Sequence, residues 1–144
     1  MKKFRFSLEK VLRYKRLLKE QREAALAKAH KEYLAHKREM DRLDGLLKEG
    51  KKKMLKGRLS PAMMVHRTAY IDSVAKGLSE QMRVTQAARE KVAECRKLLV
   101  QAEKEYRVLE KLKEHQYEDY RQYVEKEVQK ELDEVAASAF ARRG

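Results

Sequence analysis

The sequence predicts an all-α protein: a long antiparallel two-helix coiled-coil hairpin with a longer C-terminal helix, forming a single coiled-coil domain over residues 1–144. Three observations carry this. The first is a heptad ladder from Ile71 to Leu109. One row holds Ile71, Leu78, Thr85, Val92, Leu99 and Tyr106, and the other Val74, Gln81, Ala88, Cys95, Ala102 and Leu109. A mostly apolar seam at a sustained 3.5-residue period marks a coiled coil, and such a seam needs a partner helix. The second is a matching ladder earlier in the chain: Leu26, Tyr33, Met40, Leu47 and Met54, with Ala29, His36, Leu43 and Gly50. Paired in antiparallel sense, Leu47 meets Ile71, Met40 meets Leu78 and Leu26 meets Val92, while Leu43 meets Val74 and His36 meets Gln81. The third is the punctuation between the ladders, Gly57 followed by Ser60-Pro61.

Helix one is expected over about residues 7–56. Ser7 offers a hydroxyl to cap its first turn, and Phe6 and Val11 have the spacing of a hydrophobic staple. The pairing rule places Lys15, Lys19 and Arg22 on the seam. Either their stems snorkel along it, or the register shifts onto Val11, Leu18 and Ala25. The turn is expected at about 57–61, with Gly57 left-handed at the end of helix one, Ser60 as cap and Pro61 opening the next helix. Four of the five glycines and five of the six methionines fall between residues 40 and 82. Interior glycine costs a helix roughly 1 kcal/mol, so this is the softest part of the fold. Methionine either fills gaps in a narrow seam or serves an adaptable binding surface.

Helix two is expected over about residues 62–139. By the pairing rule, residues after about Lys113 have no counterpart on helix one. An apolar stripe nevertheless continues through Tyr117, Tyr120, Val124, Val128, Leu132, Val135 and Ala139. A helix with one uncovered apolar face needs another chain, either a different partner or a second copy. The last residues, Phe140 to Gly144, are expected to fray.

Composition excludes several classes. Ala, Glu, Lys, Leu and Arg make up 87 of 144 residues, as in long helices and coiled coils. A two-helix coil has no thick interior, so a roomy dry substrate pocket is not expected. No run approaches 18 apolar residues, which argues against an integral membrane segment. The N-terminus lacks the apolar stretch of a secretory signal, and one cysteine cannot form an internal disulfide. Together these point to the cytoplasm. The net charge of +13 is concentrated early: residues 1–58 hold 20 Lys and Arg against 8 Asp and Glu. That asymmetry suits an acidic partner or simply a solvated helix face.

No catalytic or cofactor constellation is present. His30 and His36 lie on different helix faces, His66 and His115 are isolated, and Cys95 occupies a seam position as a small hydrophobe. Phosphate loops and nucleophile elbows are absent, so neither an enzyme nor a metal or cofactor is expected. The basic residues are interleaved with Glu9, Glu20, Glu23 and Glu32 and form no base-reading face, which argues against nucleic-acid binding.

Both ends of the chain resemble a known family. The opening Phe4-Arg5-Phe6-Ser7-Leu8-Glu9-Lys10-Val11-Leu12-Arg13 is similar to the start of FliJ-type flagellar type III export proteins. The closing Gln129-Lys130-Glu131-Leu132-Asp133-Glu134-Val135-Ala136, followed by Phe140-Ala141-Arg142-Arg143, resembles their C-terminal segment. The resemblance implies a cytoplasmic protein peripherally associated with the inner face of the cell membrane. It implies a shape like the central stalk of rotary ATPases, with the paired termini docked in a hexameric export ATPase. The matching positions for that contact are Phe4, Phe6, Arg13, Tyr117, Tyr120, Val124, Val128, Gln129, Leu132 and Asp133. The hairpin tip would meet the cytoplasmic domain of the membrane export gate, through Met40, Leu43, Leu47, Tyr70, Val74 and Gly77. Some members of the family also bind export chaperones. Two alternatives remain open: a structural self-associating coiled coil, and the equivalent stalk of a virulence-type secretion system.

Overall fold

Two helices account for nearly all of residues 3–143, the part of the chain described by the computed structural model. Helix α1 runs Glu9–Leu55 and helix α2 runs Pro61–Arg143, lengths of 47 and 83 residues. No strand occurs among the described residues. The fold is therefore the expected all-α hairpin with a longer second helix. By contacts the chain groups into two compact units. One takes Gln21–Val100 and includes the turn; the other joins the residues up to Glu20 with those from Gln101 onward.

In the turn unit, Gly57 has φ of 88°. This is the left-handed conformation that ends a helix and that a Cβ makes costly. The Ser60 hydroxyl accepts the Met63 N–H at 3.2 Å, satisfying one of the free donors of the first turn of α2. Pro61 is the first residue of that helix, where its missing N–H costs nothing. On the other side of the turn, Arg67 donates to the Lys53 carbonyl at 3.1 Å, occupying one of the last open acceptors of α1.

The core of this unit is thin: Ala29, Val74, Leu78 and Val92 are buried, together with the hydroxyl-bearing Thr85. Thr85 Oγ1 donates to the Gln81 carbonyl at 2.7 Å and lies 3.3 Å from the His36 carbonyl. Gln81 Nε2 donates to that same His36 carbonyl at 3.0 Å. A polar layer thus sits within the apolar ladder, with its buried groups satisfied.

The observed register differs from the expected one. Gly50 approaches Ile71, Leu43 approaches Gly77 and Arg89 bonds Tyr33, so the numbers of touching residues sum to 120–122 rather than 117 or 118. His36 with Gln81 keeps the expected sum. Helical side chains tilt toward the N-terminus of their own helix. In antiparallel helices that tilt moves each contact by about one residue on both strands, raising the sum by about two. The offset is smaller than one heptad, so it leaves the same two ladders facing each other and moves only which neighbours touch.

In the unit of the chain ends, α1 starts at Glu9, two residues later than the expected cap at Ser7. Residues 7–8 form a turn closed by a bond from the Glu9 N–H to the Phe6 carbonyl at 3.1 Å. Phe6 and Leu12 are buried, while Val11 is 41% exposed, so the apolar anchor falls one residue beyond the expected staple. The choice on the seam is settled in favour of the lysines. Lys15 bonds Glu105 at 2.8 Å and Lys19 lies 5.1 Å from the centre of the Tyr106 ring. Both are half-buried along their stems, as snorkelling requires. At the far end, α2 continues through Phe140 to Arg143, four residues past the expected fraying point.

Candidate interaction surfaces

In the unit of the chain ends, residues 3–6 run without helical structure alongside α2 and supply an aromatic clasp. The Phe4 ring meets Tyr117 edge-on, with centroids 5.3 Å apart and planes at 76°, and meets Tyr120 at 5.6 Å. Edge-to-face packing aligns the positive rim of one ring with the negative face of the other. The covered part of α2 therefore reaches Tyr120, beyond the Lys113 limit expected from sequence. The register offset accounts for Tyr117. Non-helical backbone, longer per residue than a helix, accounts for the further turn.

Charged contacts brace the same region. Lys113 Nζ lies 2.8 Å from Glu9 Oε2, and Arg13 Nε lies 3.8 Å from Glu9 Oε1. The hydrogen bond from Lys113 holds the Glu9 carboxyl below its ordinary value against the opposing effect of burial, with lesser help from the positive charges of Lys113, Arg13 and Arg16. Glu105 is lowered likewise by bonds from Lys15 and Gln101. The Arg16 guanidinium donates to the Tyr106 hydroxyl at 3.2 Å and stands 5.7 Å from its ring.

Past the clasp, the apolar stripe is open. Val124 is half-buried, and Val128, Leu132 and Val135 are 39%, 58% and 67% exposed. Polar contacts here run along α2 itself: Arg121 with Glu118 and Glu125, Lys130 with Glu127, and Gln129 donating to Asp133 at 2.9 Å. These i,i+3 and i,i+4 pairs support the helix without covering its apolar face. Of the positions matched to ATPase contact, Tyr117, Val128, Gln129, Leu132 and Asp133 are exposed, as is Arg13. Phe4, Tyr120 and Val124 are half-buried. Phe6 is only 7% exposed, so its role is to seat the N-terminal segment rather than to present a ring outward.

The positions matched to gate contact all lie in the turn unit. Tyr70 is 47% exposed and Gly77 is exposed, whereas Met40, Leu43 and Leu47 are half-buried and Val74 is buried in the seam. A Cβ on Gly50 would stand 3.3 Å from Ile71 Cγ1 and 3.8 Å from the Tyr70 ring, so glycine here permits close approach of α2. Leu46, Gly50, His66, Arg67, Tyr70 and Ile71 line a shallow recess beside that approach.

Sequence reasoning missed the Phe4 clasp and the cationic pair around Tyr106. The signal for the second was present: Lys15, Arg16 and Lys19 on one side of a seam whose other side carries a tyrosine. Among the described residues no group of three or more His, Cys, Asp or Glu could hold a metal, and no helix is long and apolar enough to cross a membrane.

Neither a curated protein nor a solved structure matches the chain. A protein-family model does match, over residues 4–144, and its description is Flagellar FliJ protein. That span takes in both the aromatic clasp and the turn. The chain therefore belongs to the FliJ family of flagellar export components.

Proposed function

We propose that this chain is a non-enzymatic stalk, or coupling component, of the flagellar type III export apparatus. It works in the cytoplasm, peripherally associated with the inner face of the cell membrane. Its paired termini bind the hexameric export ATPase, and its turn unit binds the cytoplasmic domain of the export gate, with export chaperones as a further class of partner. The family membership supports the export role. The observation that carries the ATPase contact is the open stripe Val124–Val128–Leu132 on an α2 segment braced by the Phe4 clasp. A stalk needs an end that presents apolar surface, and half-buried Val124 with exposed Val128 and Leu132, spaced for one helix face, supplies it.

The test is titration of the purified chain into the export ATPase of the same organism. ATP hydrolysis or ring formation should rise, and Val124→Asp with Val128→Asp should abolish the effect. No change in either at micromolar concentrations would remove the stalk role. The same open stripe also favours a second reading, self-association through α2. A tight homodimer in sedimentation, lost on the two aspartate substitutions, would support that reading.

A further inference from the structure

The turn carries a second uncovered apolar surface, distinct from the stripe on α2. Leu55, the last residue of α1, is 88% exposed. In the first turn and a half of α2, Met63 and Met64 are each 48% exposed and Val65 is 71% exposed. At 1.5 Å rise per residue, Val65 stands roughly 6 Å along α2 from Pro61, so all four apolar side chains crowd the last few ångströms of the hairpin end. The same stretch is strongly basic. Residues 48–58 hold Lys48, Lys51, Lys52, Lys53, Lys56 and Arg58 against Glu49 alone. No acidic residue occurs from Lys51 through Tyr70.

We infer that this end docks on an anionic lipid bilayer, with the lysines on lipid phosphates and Leu55, Met63, Met64 and Val65 at the boundary of the acyl chains. Three observations favour a bilayer over an acidic protein. The apolar side chains stand out from the end of the hairpin, and none lines the recess formed by Leu46, Gly50, His66, Arg67, Tyr70 and Ile71. Consecutive residues 63–65 spread around the start of α2 rather than along one face, which suits a deformable surface that surrounds the end; a folded partner would have to supply a complementary cleft. Insertion by about 5–10 Å, the depth typical of interfacial anchors, would take in all four apolar residues. Five of the six cations are lysines, whose flexible stems keep the ammonium at headgroup level while neighbouring apolar groups go deeper. The inference deepens the peripheral membrane association proposed above by naming its surface and its ligand, and does not depend on contact with an export gate.

The experiment uses the full chain with Leu55→Trp. The natural sequence has no tryptophan, so one indole reports one place. Vesicles of phosphatidylcholine with a quarter phosphatidylglycerol should shift its emission to shorter wavelength and should pull the chain down on centrifugation. Leu132→Trp, at an exposed leucine in the acidic part of α2, should show no shift. Raising salt from about 50 to 500 mM should weaken vesicle binding at least tenfold, because the attraction falls off within a Debye length. Lys51→Glu with Lys52→Glu and Lys53→Glu should abolish it, and Met64→Ser should remove the shift while leaving part of the pull-down. Circular dichroism checks that these exposed substitutions keep the helices intact. Vesicle binding without a shift at Leu55→Trp would overturn the inference, since the apolar edge would then be idle. Equal binding to inorganic polyphosphate and to vesicles, or no binding to anionic vesicles at low salt, would overturn it as well.

Discussion

Phe4 and Tyr117 stand ring edge to ring face, with centroids 5.3 Å apart, although they are 113 positions apart in sequence. This contact joins the non-helical N-terminal segment to α2 just before its apolar stripe becomes uncovered. Phe4→Ala removes the ring from both tyrosines. It should destabilise the unit of the chain ends by about 1–2 kcal/mol, combining lost apolar area with lost aromatic pairing. Urea unfolding followed by tyrosine fluorescence checks it, and Phe4→Leu should recover part of the loss.

Two substitutions in the polar layer of the turn unit should differ in size of effect. Gln81→Ala leaves the His36 carbonyl without its 3.0 Å donor and should cost about 1 kcal/mol. Thr85→Val keeps shape at a buried site, and the Gln81 carbonyl retains its place in the α-helical ladder, so the change should stay within about 0.5 kcal/mol of neutral. Paired thermal melts of the two variants decide the matter.

Two glycines should respond in opposite directions. Gly57→Ala forces a Cβ into a left-handed backbone and should destabilise by about 1–2 kcal/mol. A Cβ on Gly45 meets nothing within 4 Å, so Gly45→Ala should stabilise by about 0.5–1 kcal/mol through helix propensity alone. Chemical denaturation of both proteins provides the check.

Acid should loosen the chain ends. Glu9 and Glu105 both have carboxyls held below the ordinary value of 4.5, chiefly by hydrogen bonds from Lys113 and Lys15. Because folding depresses these values, their contribution is fully present above 4.5 and is lost as pH falls through the lower folded values. Both groups lie near the surface, so the effect is small and salt-sensitive. Melting temperature measured from pH 6 down to pH 3 should fall less steeply in Glu9→Gln with Glu105→Gln than in the natural chain.

Local signals with one physical solution were legible in advance. Gly57 and Ser60-Pro61 each have a conformation or bond that few other residues supply, and both stand where expected. The heptad rows likewise named Ala29, Val74, Leu78, Val92 and Ala102, all buried. Alignment between the rows was not legible to the residue, because pairing by position ignores side-chain tilt, which moves each contact by about one residue along both helices. The ends were harder still. Phe4 lies outside any helix, so no periodicity announces its contact, and Lys15 and Lys19 on a seam look like errors until Glu105 and Tyr106 are found opposite. Among the positions matched to partner contact by resemblance, exposure separates Tyr70, Val128 and Leu132 from Phe6 and Val74, a distinction invisible to spacing.

On the proposed stalk role, α2 beyond Tyr120 is open in the free chain and becomes covered when the export ATPase binds. Amide hydrogen exchange over residues 121–139, with and without the ATPase, tests it most directly. Exchange should be fast in the free chain at low concentration, as for a helix without tertiary support. Adding the ATPase should bring strong protection, lost in the Val124→Asp and Val128→Asp chain. Protection already present in the free chain, or fast exchange that the ATPase leaves unchanged, would contradict it.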